Sequence, residues 1–186
     1  EIEVRDVNRR DNRWLIEANA VLNDPRDKFS LRAGKFALAV PDYTVRRSML
    51  ETVDSPNVPW NTYGYGLQFI KSLDGWIVTA DLTTGTRQSG RAGRGREDWD
   101  HVVGSAKVSK NFNGELALDT VIQGSHDFIS FGEAFKYQPK EIPELTVRGE
   151  VYGNIEEFDT SYGGYTLISY QLTPHISPHF QLEYLG

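Results

Sequence analysis

Arg87, Arg91, Arg94 and Arg96 fall within ten residues that also hold Gly90, Gly93 and Gly95. A guanidinium keeps its charge in any protein setting and offers five donors in a fixed fork, so such a segment suits anions. Three targets fit: a basic constriction at a pore mouth, the phosphates of lipopolysaccharide, or single-stranded nucleic acid in the manner of an RGG segment. A solvated loop is the bland alternative. The net charge of −6 makes nucleic acid the poorest of these targets. The spacing is not that of a nucleotide-binding G-x-x-x-x-G-K-[ST] loop, and no βα pattern surrounds it.

Other reactive groupings are weaker. Asp159-Thr160-Ser161 matches an aspartic-protease triplet, but one copy in a loop reads as a turn. Glu97-Asp98 and Glu156-Glu157 could serve a glycosidase, which needs two carboxylates across a cleft, whereas neighbouring acids on a loop face water. His101, His126, His175 and His179 lack zinc-ligand spacing, and there is no cysteine for thiolate or disulfide chemistry. No metal, cofactor or enzymatic reaction is expected. The better candidates are charges spread along the chain: Glu17, Arg32, Asp81, Lys107, Asp119, Arg148, Glu150 and Glu183. Both signs inside a tube tune ion selection. They can equally pair to fill a narrow or plugged barrel.

The elements that position those charges are strands. The 186 residues suit one domain, with 12% aromatics, 17 Gly and one Met. No apolar run approaches the roughly 20 residues of a membrane helix, and no helical stripe persists over three turns. Strict alternation runs throughout. Trp14, Ile16, Ala18, Ala20 and Leu22 share a face against Glu17 and Asn19. Phe29, Leu31 and Ala33 oppose Arg32, and Trp76, Val78, Ala80 and Leu82 oppose Asp81. The pattern recurs around Tyr63–Phe69, Val102–Val108, Leu116–Ile122, Leu145–Val151, Ile168–Leu172 and Phe180–Tyr184, with a less regular strand near Phe131–Gln138. That predicts roughly ten strands of about 9–11 residues, the length that spans a bilayer when tilted. Soluble strands are nearer 5–6 residues.

One apolar face, one charged face and aromatic strand ends predict an antiparallel transmembrane β-barrel with the charges in its lumen. The girdle candidates are Trp14, Phe29, Tyr63, Phe69, Trp76, Phe112, Tyr137, Tyr165, Phe180 and Tyr184. Two places resist the scheme. Glu133 shares the parity of Phe131 and Phe135 and so faces lipid, unless it lies at the rim or its strand bulges. Lys35 and Phe36 suggest a bulge or strand end.

Connections alternate in length. Short turns at 23–27, 71–75, 110–114, 138–143 and 173–178 carry Asn, Asp, Gly and Pro. Longer segments at 39–61, 85–100, 124–127 and 154–163 fall on the other rim. If the short turns are periplasmic, Trp14–Leu22 runs down and Phe180–Leu185 runs up. Residues 1–186 then read as one barrel domain that is an internal portion of a barrel of twelve or more strands. Glu1–Val7 would be the stump of a missing strand, and Trp14–Leu22 and Phe180–Leu185 would be edges.

Phe29-Ser30-Leu31-Arg32-Ala33-Gly34-Lys35-Phe36, then a long loop and Gly64-Tyr65-Gly66-Leu67-Gln68-Phe69, resembles the bacterial outer-membrane porin superfamily, nearest its phosphate-selective porin O/P-like group. Gly163-Gly164-Tyr165 through Tyr170-Gln171-Leu172-Thr173 resembles a strand those barrels repeat. The resemblance covers about two-thirds of the chain. It implies passive diffusion of small polar or ionic solutes across a cell outer membrane, and it assigns no phosphate-binding residue here. The expected partners are outer-membrane lipid and lipopolysaccharide, a small polar or anionic solute, and further copies or chains that complete the barrel. Two alternatives remain open. One is a soluble all-β carbohydrate-binding or carbohydrate-active domain that uses Trp60 and Trp99 as sugar platforms. The other is a narrow structural barrel without conductance.

Overall fold

The computed structural model describes residues 2–5, 17–24, 26–40, 61–88, 102–156, 159–174 and 176–186. They form one antiparallel sheet in which every strand pairs with its sequence neighbour. The strands are β1 Ile2–Arg5, β2 Glu17–Asp24, β3 Phe29–Ala37, β4 Asn61–Leu73, β5 Trp76–Gln88 and β6 Val103–Phe112. They continue as β7 Leu116–Gly124, β8 Phe128–Tyr137, β9 Leu145–Glu156, β10 Asp159–Tyr170 and β11 His179–Leu185. There is no helix among the described residues. β4 and β5 reach 13 residues, and β9 and β10 reach 12, about twice the usual soluble strand.

Local chemistry sets the hairpins. Asp74 and Gly75 are the whole β4–β5 connection, both at positive φ (46° and 81°), the two-residue turn whose twist matches the flanking strands. Asn113 and Gly114 repeat the conformation at β6–β7. Asp24 Oδ1 accepts the Arg26 amide at 2.9 Å and so begins the β2–β3 turn.

The sheet is strongly curved. Val40, three residues beyond the end of β3, packs against Val121 of β7 and Tyr152 of β9. On a flat sheet those strands lie four and six spacings from β3, about 19 and 29 Å away. Three residues span about 10 Å at most. Only a curled sheet brings the two together, so each strand has a concave and a convex face. No hydrogen bonds join β1 to β11 among the described residues, and the sheet is open.

Several expectations need correction. Ile2–Arg5 is a strand paired to β2, which makes eleven strands among the described residues. Trp14–Leu22 is therefore not an edge: β2 starts at Glu17 and is bonded on both sides, while Trp14 lies outside the described residues. Nor do the long connections share one rim throughout. β9 and β10 extend through the expected 154–163 loop and leave only residues 157–158 between them, and β7–β8 is joined by residues 125–127. The opposite rim carries the longer 138–144 and 171–178. β3 holds regular register to Ala37↔Tyr63 and ends there, so of the two expectations for Lys35 and Phe36 the strand end holds and the bulge does not; the irregularities fall in the β4–β5 pairing at Asn61/Tyr63 and Tyr63/Tyr65.

Candidate functional site

Burial sorts residues by face, not by polarity. On the convex face Leu22, Leu82 and Val151 are 63%, 59% and 62% exposed. On the concave face Asp119 and Glu150 are 1% exposed. Gln68, Thr79, Thr83, Ser105, Gln123 and Ser130 are buried beside them. A water-soluble sheet places these classes the other way round.

Of the charged residues singled out in the sequence, Arg32, Asp81, Lys107, Asp119, Arg148, Glu150 and Glu183 all occupy concave positions of the ladder. Glu17 is the first residue of β2, opposite Arg5. Arg87 stands near the end of β5, opposite Tyr63. Arg91, Arg94 and Arg96 lie outside the described residues, as do Trp60 and Trp99.

Register arranges the charges in rungs. Asp119, Ala134, Glu150, Tyr165 and Glu183 follow one another across β7 to β11, with successive carboxylates two strand spacings, about 10 Å, apart. One pleat nearer the rim that holds the 138–144 turn, Lys136 faces Arg148, followed by Leu167 and Gln181. An acidic rung thus lies beside a basic one. Tyr165 Oη donates to Glu150 Oε2 at 3.1 Å. Ser130 Oγ donates to Asn154 Oδ1 at 2.7 Å, and Asn154 Nδ2 donates to Glu156 Oε1 at 2.8 Å.

Near β3 the concave face is different. Phe36, Leu38 and Ala39 are buried there. The Ala39 amide donates to Asp81 Oδ2, to which Ser105 Oγ also donates at 3.3 Å. Gln68 Nε2 donates to the Ala37 carbonyl at 3.0 Å. Asp81 therefore anchors an inward-turned segment as well as lining the face.

The convex rim beside the Asp74-Gly75 turn carries aromatics. Phe29 and Phe69 stack at 6.0 Å. Lys110 Nζ lies 4.7 Å above the Trp76 ring and 3.3 Å from the Asp74 carbonyl. The Lys110 ammonium thus meets the face of an aromatic ring and a backbone carbonyl together, a cation–π contact beside a hydrogen bond. Tyr165 is a correction: its parity is that of Glu150's rung, and it is buried on the concave face, not in the girdle. Glu133 sits on the convex face in mid-strand, exposed, in unbroken register with Thr120 and Val151.

Sequence reasoning missed Lys136, Tyr152 and the inward segment. Lys136 follows Ala134 by two and was legible by parity, and Tyr152 continues the Glu150 alternation one step past the expected strand end. The inward turn at Leu38–Val40 leaves no periodic trace. Compared with models of known protein families the chain matches none, and no curated protein sequence matches it.

Proposed function

We propose that the chain is the wall of an outer-membrane β-barrel and passes small polar or ionic solutes by diffusion along its concave face. The observation that carries this reading is the inverted burial: apolar side chains exposed on the convex face, and carboxylates, amides and hydroxyls gathered on the concave one. An apolar solvent outside and a polar lumen inside account for both at once. Strand lengths of 9–13 residues in β3–β10 suit the span. Asn19, Arg32, Gln68, Arg148, Tyr152 and Gln181 each carry a buried polar atom without a hydrogen-bond partner among the described residues, all at concave positions. Left unpaired, each costs about 1–3 kcal/mol, so this face calls for water along it. No reaction is implied.

The narrow structural barrel has its own support, because Phe36, Leu38 and Ala39 fill part of the concave face. Planar-bilayer recording separates the two readings. Refolded chain inserted from detergent should give stepwise conductance in potassium chloride. A lipid-inserted, folded chain without conductance would establish the structural barrel instead.

A further inference from the structure

Glu133 stands in mid-strand on the exposed convex face, opposite Thr120 of β7 on one side and Val151 of β9 on the other. Leu118, Ile122, Phe131 and Phe135 surround the Glu133–Thr120 pair on that face. None of these is a cation, and among the described residues the carboxylate has no hydrogen bond or ion pair. The nearer end of its strand, Tyr137, is four residues away. That is about 13 Å along the strand, further than a glutamate side chain reaches. Phe131 and Phe135 lean toward β9, where their rings fill the places that Cβ atoms of Gly153 and Gly149 would take. The β7 side of the carboxylate is left to Thr120, which is short and exposed.

We propose that a second copy of this chain packs on the β7–β8 part of the convex face, the Glu133 carboxylate of each copy accepting the Thr120 hydroxyl of the other. The proposal rests on the membrane setting read for the convex face, not on conductance. Acyl chains offer a carboxylate no donor, so the group that serves it belongs to a protein. Register supplies one. A two-fold axis along the membrane normal keeps both copies in the same orientation in the bilayer. Its contact is isologous: residue i meets j, and j meets i. Placed between β7 and β8, the axis sets β8 of one copy over β7 of the other. Glu133 and Thr120 are register partners, so each Glu133 then meets the Thr120 of the second copy. Strand tilt of about 40° offsets the two by roughly 3 Å in height, which a glutamate side chain spans. By the same symmetry Leu118 meets Phe135 and Ile122 meets Phe131, an apolar surround for both hydrogen bonds.

The test is resonance energy transfer between copies of the full chain in lipid vesicles. The chain has no cysteine, so a single one replacing Glu141 in the exposed 138–144 turn carries the dye. Transfer should rise saturably with the protein-to-lipid ratio. Glu133→Leu and Thr120→Val should each weaken association roughly tenfold, because either removes both hydrogen bonds at once. Leu82→Ala, on the convex face of β5, should leave it unchanged. A donor-labelled Glu133→Leu chain mixed with an acceptor-labelled Thr120→Val chain keeps one of the two bonds. That mixed pair should associate more tightly than either variant with itself. Diluted to single chains, Glu133→Leu no longer sets a carboxylate against acyl chains and gains stability, so its weaker association is not weaker folding. A native chain that stays monomeric, association that Glu133→Leu leaves unchanged, equal weakening by Leu82→Ala, or a mixed pair no tighter than its parents would each overturn the interface. Conductance in potassium chloride is read separately. A conducting monomer removes the interface alone, and a dimer without conductance removes the pore alone.

Discussion

Val151 and its two neighbours live in opposite settings on one strand. Val151 is 62% exposed, while Glu150 and Tyr152 are 1% and 7% exposed. The same inversion separates Leu118 from Asp119 and Ile122 from Gln123. In a soluble sandwich the apolar residue would be covered and the carboxylate wet. Here curvature decides what is covered, and the sequence has placed polar groups where the sheet curls inward. The difference teaches that exposure on this sheet follows the face and not the polarity of the side chain, which is what the proposed membrane setting requires of the convex face.

The comparison breaks most sharply at Val151. In lipid vesicles Val151→Arg should cost about 2–4 kcal/mol in urea-induced unfolding, because a guanidinium near mid-membrane loses its hydration. Glu150→Gln should cost about 1 kcal/mol, since an amide still serves the Tyr165 hydroxyl. Equal losses at positions 150 and 151, or a harmless arginine at 151, would mean that the two faces meet the same solvent.

Asp81 sharpens the contrast inside the concave face. Asp81→Ala removes the acceptor for the Ala39 amide and for Ser105 Oγ. We expect about 2 kcal/mol of lost stability and faster hydrogen exchange at the Ala39 amide. Unaltered exchange there would show that the segment is held by Phe36 and Leu38 packing alone.

Glu133 is the exception on the convex face and so a probe of it. Glu133→Leu should gain on the order of 1 kcal/mol in vesicles, since a carboxylate facing lipid costs less than an arginine but still costs. A loss of stability would place a partner against this part of β8. At the rim, Lys110→Ala should cost about 0.5–1 kcal/mol through the Trp76 contact. Thermal unfolding in vesicles reads it, and no change would make Lys110 a solvated charge.

Much of this was legible in the sequence because period-two alternation maps directly onto a pleated ladder. The parity of Arg32, Asp81, Lys107, Asp119, Arg148 and Glu150 follows from their apolar neighbours, and Glu133 stood out as a parity conflict. Strand ends were less legible. β9 and β10 run through Asn154–Gly163 because Asp159-Thr160-Ser161 and Gly163-Gly164 pair despite their loop-like composition. Tyr165 was misplaced because aromatic type suggested a girdle, where only register could show that it opposes Glu150. The inward turn of Leu38–Val40 depends on contacts with β5, β7 and β9 distant in sequence, and no local pattern encodes those.

The central claim is that the two faces of one strand meet two different solvents. β7 offers the most direct test, since the chain has no native cysteine and single cysteines can be placed one at a time from Ala117 to Gln123. Nitroxide labels on these sites in lipid vesicles, read by power saturation with oxygen against a water-soluble nickel chelate, report the solvent residue by residue. The account predicts a period of two, with oxygen far ahead of nickel at 118, 120 and 122 and that oxygen preference lost at the covered sites 117, 119, 121 and 123. Nickel access at 118, 120 and 122 as high as their oxygen access would contradict it.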